Sequence, residues 1–216
     1  FLFLASGTVA AVLAGTDGLV VAEGGVGAIN LPYVASQRGT ESTRAMHPRT
    51  LRMFSEIVTA LTGSSFMVDA PYVTTTKAEL IGLTSAAADE VLSHTVSCDS
   101  GFSARVIDRA PCGRCTSCIL RRLSLVAAGR PAIDRRLPYR HQAPGTPEFA
   151  AMAWQALRLR RCLDDVDPWA RLTMEFPELI HLDGLLGQDQ VLRLYDSYAG
   201  EFKAYLKSLG IERQWM

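Results

Sequence analysis

Lysine is nearly missing from this chain. Only Lys77, Lys203 and Lys207 occur, and arginine supplies the rest of the 22 basic side chains. Twenty-two acidic side chains balance them, so the net charge is zero and there is no global electrostatic case for a nucleic-acid partner. A membrane-length apolar run is missing too. The opening stretch, Phe1 to Ala14, is too short and too rich in small residues to span a bilayer. It also lacks the basic start of a secretory signal peptide, which sets that reading aside. We read it as a buried helix of an α/β domain whose beginning lies upstream, and the chain as a fragment. There is no internal repeat and no low-complexity tract, which excludes a repeat array. Five cysteines, an odd number with four of them clustered, do not make a disulfide framework. They point to a metal and to a reducing compartment, the cytoplasm.

The cysteine cluster is the most informative feature present. Cys112-Gly113-Arg114-Cys115-Thr116-Ser117-Cys118 puts three thiols in seven residues, and Cys98 lies fourteen residues upstream. Four sulfur ligands from one short segment suit a structural, tetrahedral zinc. A Cys-x-x-Cys step lets two sulfurs point inward from one tight turn, and Gly113 lets the backbone fold close to the metal. Buried or disulfide-bonded cysteines are the plainer alternative. The spacing speaks against them, because Cys-x-x-Cys rings are usually redox-active. An iron–sulfur cluster is a second alternative, but such runs take their remaining cysteine downstream, beside a proline. Here it is upstream. Cys162, the only downstream cysteine, sits in an arginine-flanked helical segment and reads as a spare thiol of core or surface.

Along the chain, residues 1–14 read as a helix and Gly15 to Gly18 as a turn. Leu19-Val20-Val21-Ala22 is a short apolar run, as expected of a parallel strand covered on both faces. It ends in Glu23 and a glycine-rich loop, Gly24 to Gly27, and the chain stays loop-like to Arg44. Pro48 opens a helix over roughly Arg49 to Leu61, which Gly63 ends. Ser65 to Ala70 reads as a second strand, and Thr76 with Glu79 fits a capping box that starts the next helix. This alternation predicts an α/β fold with a doubly wound parallel sheet. Ligands bind such sheets at the carboxyl ends of strands. The polar loops Glu23 to Arg44 and Tyr72 to Lys77 sit at those ends. The predicted organisation is an α/β domain over 1–97, a four-cysteine zinc lobe over 98–125, a linker rich in Pro and Arg over 126–147, and a helical extension over 148–216. Ala151 to Leu163 and Gln188 to Leu209 are the clearest helices of the extension, with Pro168 and Pro177 breaking the stretch between them.

An apolar helix, an apolar strand, a polar loop with an arginine, a Thr-Lys-x-Glu helix start and a Cys…Cys-Gly-x-Cys-x-x-Cys cluster, in this order, resemble 7-cyano-7-deazaguanine synthase, the QueC family. The resemblance covers residues 1 to about 125. The cysteine signature is its specific part, and Thr76-Lys77-Ala78-Glu79 adds to it. Other details look closer to the QueC-like proteins of bacterial anti-phage operons, the QatC-like group. These are Glu23-Gly24-Gly25-Val26-Gly27-Ala28-Ile29-Asn30-Leu31-Pro32, Ser42-Thr43-Arg44, His47-Pro48 and the long helical C-terminal part.

The resemblance implies a PP-loop ATP-pyrophosphatase fold of the HUP-like type, with ATP and Mg2+ as co-substrate. It implies an ATP-dependent carbon–nitrogen ligase of queuosine biosynthesis. That enzyme adenylates the carboxylate of a 7-deazaguanine, lets ammonia attack to give an amide, and dehydrates the amide to a nitrile in a second activation. For the defence-associated relatives it implies an acceptor amine carried by a protein. The family's zinc is structural, since four thiolates leave no open position. The chain departs from the family twice. The phosphate-binding Ser-Gly-Gly-x-Asp-Ser loop is absent, and Gly24 to Gly27 does not replace it, because it follows a later strand and lacks the Ser and Asp. The chain is therefore read as the C-terminal part of such an enzyme. Where the synthases carry a Tyr-Pro-Asp-Cys-Arg type sequence, Arg44 stands for the Arg and the Asp has no counterpart, which leaves room for a different substrate.

On this resemblance Lys77 is the candidate catalytic residue. It would join backbone amides and the helix dipole in holding ATP phosphates; taken alone it is a solvated first-turn lysine. Arg44 is the candidate to pair with a substrate carboxylate or phosphate, and Glu23 to accept hydrogen bonds from a purine-like base. Surface exposure and turn capping are their plainer readings. The expected metal ligands are Cys98, Cys112, Cys115 and Cys118. His47 reads as a helix cap before Pro48, with a part in the active site as the alternative. His94, His141 and His181 read as structural or exposed, with His94 a neighbour behind the ligands. Between Arg105 and Arg140 nine arginines stand against Asp108 and Asp134. They support a second reading, a non-catalytic zinc-containing module that binds nucleic acid or protein. Trp154, Trp169, Phe176, Tyr195, Tyr198 and Phe202 read mostly as core; an exposed stripe among them would dock an operon partner protein. A homodimer is the self-assembly kept in view.

Overall fold

A computed structural model describes residues 2–34, 37, 44–99, 110–134 and 139–212. The apolar opening forms helix α1, Leu2–Leu13, which buries Leu4 and leaves Leu2, Phe3 and Leu13 exposed. Strands β1, Gly18–Val20, and β2, Met67–Asp69, pair in parallel with Leu19 opposite Val68. A parallel pair needs a crossover, and the helix Pro48–Thr62, α3, lies in it. Its Leu51, Phe54 and Val58 fall at helical spacing and pack with Leu4, Phe66 and Val68. The expected boundaries of α3 hold for stated reasons. His47 caps the start by accepting the Arg49 N–H at 3.2 Å, Pro48 occupies the first turn, and Gly63 closes the end at φ 70°.

Among the described residues these two three-residue strands are the whole sheet. The doubly wound sheet expected from the element order is therefore not shown. The fold is mostly helical α/β with a small parallel pair. Alternation along three residues explains why the apolar runs read as if covered on both faces: Val68 and Leu19 join the core, while Val20 and Met67 turn outward and stay exposed.

A second departure concerns Gly24 to Gly27, expected as a loop. Gly25–Ile29 forms a short helix, α2. Its backbone lies hard against the next βα connection, with the Gly25 N–H donating to the Thr75 carbonyl at 2.9 Å. A Cβ on Gly25 would run into the Val73 carbonyl and come within 2.7 Å of Leu194 Cδ2. Glycine is needed here for close approach, not for loop flexibility.

Helix α4, Lys77–Leu83, begins with the expected capping box. After it come α5, Asp89–His94, and α6, Thr116–Ala127, which leaves the cysteine turn. A one-turn helix, α7, Pro131–Asp134, falls in the stretch expected as linker. Then come α8, Pro147–Leu163, α9, Pro168–Glu175, a 3-10 turn over Pro177–Leu182, and α10, Gln188–Ser208. Pro168 and Pro177, read as breakers, each open a helical segment at its tolerant first turn.

The largest core joins Phe149, Met152 and Leu159 of α8 to Tyr195, Tyr198 and Phe202 of α10, and to Val26, Ile29, Ile119 and Leu123 of earlier elements. Buried Gln155 crosses from α8 to the segment after α2, donating from Nε2 to the Leu31 and Pro32 carbonyls at 2.9 and 3.1 Å. Cys162 is buried in this core. Among the described residues no helix is long and apolar enough to cross a membrane.

Candidate metal centre and adjoining cavity

The cysteine turn is built by backbone donors. The Cys112 N–H donates to Cys98 Sγ at 3.2 Å, the Cys115 N–H to Cys112 Sγ at 3.3 Å, and the Cys118 N–H to Cys115 Sγ at 3.4 Å. Such donors favour thiolate over thiol. Cys115 is also the N-cap of α6, so the helix start and the ligand turn are one structure. Gly113 sits at φ 80°, and the His141 carbonyl fills the space a Cβ would take. The chain returns at Arg140 and His141, whose N–H groups donate to the Pro111 and Cys112 carbonyls at 3.1 and 3.0 Å.

The four sulfurs, Cys98, Cys112, Cys115 and Cys118, all lie within 4.8 Å of one another, and Cys112 and Cys118 are 3.9 Å apart. A zinc ion at about 2.3 Å from each sulfur sets them about 3.8 Å apart, so small side-chain adjustments suffice to bind one. None of the five cysteines is in a disulfide. Hydrogen bonding with Cys118 holds the Cys115 thiol down to about 5 and pushes Cys118 up, while burial raises Cys112. Protons are thus shared unevenly among crowded sulfurs, and a divalent ion between them would let all four ionise. His94 is not behind the ligands: its side chain is 77% exposed and faces Glu90 at 3.6 Å.

Next to the cluster lies a cavity of about 510 Å³. Glu23, in the connection after β1, and Lys77, at the start of the helix that follows β2, line it, and the contact of Gly25 with the Thr75 carbonyl joins the two connections. Cys98, Asp99, Thr116 and Ser117 of the cysteine lobe form another wall, with the Ser117 hydroxyl donating to Asp99 at 2.7 Å. Asn30, Tyr33 and Ser97 complete the polar lining. Burial, with Asp99 nearby, pushes the Tyr33 phenol up to about 12, so it stays a hydrogen-bond donor. Arg44 is not brought to this wall. Its guanidinium faces Glu178 at 3.8 Å, although its neighbours Ala45 and Met46 do line the cavity. Ser42 and Thr43 lie outside the described residues.

Behind Lys77 a smaller cleft shares Glu23, Gly27, Lys77 and Leu120 with the cavity and adds Thr76, Tyr198 and Glu201. The Thr76 hydroxyl donates to Glu201. Burial pushes the Glu201 carboxyl up to about 7; the Thr76 hydroxyl opposes that rise and Glu79 adds to it. Reading the sequence missed Tyr33, Asp99, Ser117 and Glu201. Asp99 and Ser117 had a usable signal, since they adjoin or interrupt the cysteine motif. Glu201 had none, being one acidic residue on an amphipathic helix.

Among the described residues of the arginine-rich stretch, Arg121, Arg122 and Arg130 are engaged within the molecule, while Arg114 and Arg140 are exposed. Arg121 is buried and donates to Thr95 Oγ1 at 2.6 Å and the Leu92 carbonyl at 2.7 Å. Arg122 pairs with Asp134 at 3.3 Å and stacks on Tyr139. Arg130 binds Asp89 and Thr84, both at 2.9 Å. Arg105, Arg109, Arg135 and Arg136 lie outside the described residues.

Residues 46–129 match the family model described as Queuosine biosynthesis protein QueC. The resemblance read from the cysteine signature is thereby borne out over this segment. The segment holds Lys77 and all four clustered cysteines; Glu23, Arg44 and helices α8 to α10 lie outside it. No curated protein and no solved structure matches the chain.

Proposed function

We propose that the chain is part of a QueC-like, ATP-utilising ligase that activates a carboxylate in the cavity between Glu23, Lys77 and the cysteine lobe. The observation that carries this reading is the convergence of Lys77 and Cys98, both within the matched segment, on one polar cavity. In this reading Lys77 sets its ammonium against phosphate charge as it develops on adenylation. Glu23 accepts N–H donors of a purine-like ring, and the Tyr33 phenol donates to a ring or carboxylate oxygen. The four cysteines hold a zinc that shapes the wall and performs no Lewis-acid step, because its coordination is closed. Arg44 would meet a ligand carboxylate only by giving up Glu178.

The finer form of the proposal has the PP-loop fold with its doubly wound sheet completed upstream, a 7-deazaguanine carboxylate as substrate, the cytoplasm as the setting, and in an anti-phage operon a protein amine as acceptor. The inward use of Arg121, Arg122 and Arg130 favours the enzyme over a nucleic-acid-binding module.

The test is AMP and pyrophosphate release by the full-length gene product given ATP and 7-carboxy-7-deazaguanine. We expect substrate-dependent AMP, and a loss of tenfold or more in Lys77→Ala, roughly 1.4 kcal/mol of transition-state stabilisation. Zinc-loaded protein that releases no AMP with this substrate would sink the reading. Mass spectrometry of a co-expressed operon partner tests the acceptor: an unmodified partner beside free nitrile rules out the protein amine.

A further inference from the structure

We propose that Ser197 and Glu201 of α10 are positioning residues for Lys77, gripping both halves of the capping box from which the lysine projects. This rests on the reading of Lys77 as a site residue. The box itself is reciprocal. Glu79 Oε2 accepts the Thr76 N–H at 2.8 Å, and the Thr76 hydroxyl accepts the Glu79 N–H at 3.1 Å. That exchange already satisfies two free amides of the helix start, those of Thr76 and Glu79, and needs no third party. Yet α10 grips each half separately. The Ser197 hydroxyl donates to Glu79 Oε1 at 2.9 Å, and the Thr76 hydroxyl donates to Glu201. Ser197 and Glu201 stand one helical turn apart, so a single face of α10 makes both contacts. Lys77 leaves the chain between the two gripped residues, and its path into the cavity is set by them.

A second observation separates this from ordinary packing. Among the described residues neither Glu201 Oε2 nor the Tyr198 hydroxyl, both buried, has a hydrogen-bond partner, and both residues line the cleft that Lys77 and Glu23 also line. A grip on Thr76 alone would be met by a neutral amide. A carboxyl buried beside a second carboxylate, Glu79, costs stability that packing does not need. The groups facing Glu201 are Thr76 and Glu79 from the start of α4, Lys77 and Glu23 across the cleft, and Tyr198 from its own helix. Its ionisation adds charge at the base of Lys77, so the direction of the lysine follows it. α10 lies outside the segment that matches the QueC family.

The experiment tracks amide and Lys77 side-chain resonances of the full-length protein by NMR from about pH 5 to about pH 9. In the parent, Thr76, Lys77 and Glu79 should share a midpoint near about 7. Glu201→Gln keeps an acceptor for Thr76 and should abolish that midpoint, while Glu212→Gln leaves it in place. Ser197→Ala should keep the midpoint and speed hydrogen exchange severalfold at the Thr76 amide, which the Glu79 carboxylate accepts. In the AMP-release assay Glu201→Gln should remove the pH dependence of kcat near neutrality. A midpoint that survives Glu201→Gln, or Lys77 signals indifferent to both substitutions, overturns the proposal. Should Glu201→Gln fail to fold, Ser197→Ala and the Lys77 signals decide it. If no protein releases AMP, the ligase reading falls and the NMR result still decides the role of α10.

Discussion

His47 caps α3 through an unprotonated Nδ1, and burial, then Arg44, His181 and Arg49, push its pKa down to about 4. A histidine lowered from 6.5 leaves the folded state short of a proton that the unfolded chain takes up between those values. Its contribution is complete above about 6.5 and is lost as pH falls toward about 4. Thermal unfolding should therefore show a lower Tm at pH 5 than at pH 7, and His47→Asn, which keeps a cap acceptor, should shrink that difference. His47→Ala should cost about 1 kcal/mol at neutral pH. Glu201 has the opposite sign. Its carboxyl is raised from 4.5 to about 7, so the folded state holds a proton the unfolded chain has given up, and stability falls as pH rises through that window. Glu201→Gln should raise the Tm at pH 8 and leave it unchanged at pH 4; an equal shift at both values would show that ionisation is not the cause. Local chemistry made His47, the Thr76–Glu79 box and the four cysteines legible in the sequence, because each partner lies within a few residues or one short segment. Glu201 was illegible because its partner Thr76 is 125 positions away.

At the level of elements, proximity between βα connections matters more than the glycines' freedom. Gly25→Ala would press a methyl against the Val73 carbonyl and Leu194 and force α2 away from the turn before α4. The expected cost is about 1–3 kcal/mol, with weaker nucleotide binding as Glu23 moves from Lys77. Chemical denaturation and ATP titration of the same variant check both. The sequence led to a loop here because glycine runs usually mark loops. It did not reveal that Val26, Ala28 and Ile29 would be drawn into the core as a helix. Pro168 and Pro177 do break the stretch between α8 and α10, and each also begins a helical segment, which the sequence reading did not give. The strands were placed correctly in order and direction, and their length was overread, because three paired residues with an outward Val20 and Met67 look apolar throughout.

At the scale of the molecule, the cysteine lobe is tied to the C-terminal helices by the return of Arg140 and His141 onto Pro111 and Cys112, just before α8 begins. We expect elemental analysis to find one zinc per chain. Removing it with a chelator should lower the Tm and open the backbone near residues 110–118 to protease. Absorbance near about 400 nm would instead identify an iron–sulfur centre. The sequence made the four-cysteine cluster legible and hid the shared core, because apolar periodicity shows that α8 and α10 have buried faces without naming their partners. Those partners include Val26, Ile29, Ile119 and Leu123. This arrangement bears on synthesis. Chains emerge from the ribosome N-terminus first, so α2 and α6 wait with apolar faces uncovered until Tyr198 and Phe202 arrive. The grip on Thr76 and Glu79 closes at the same moment. A ribosome stalled within α10 would hold a nascent chain with its cysteine turn already made and with Thr76 and Glu79 not yet gripped.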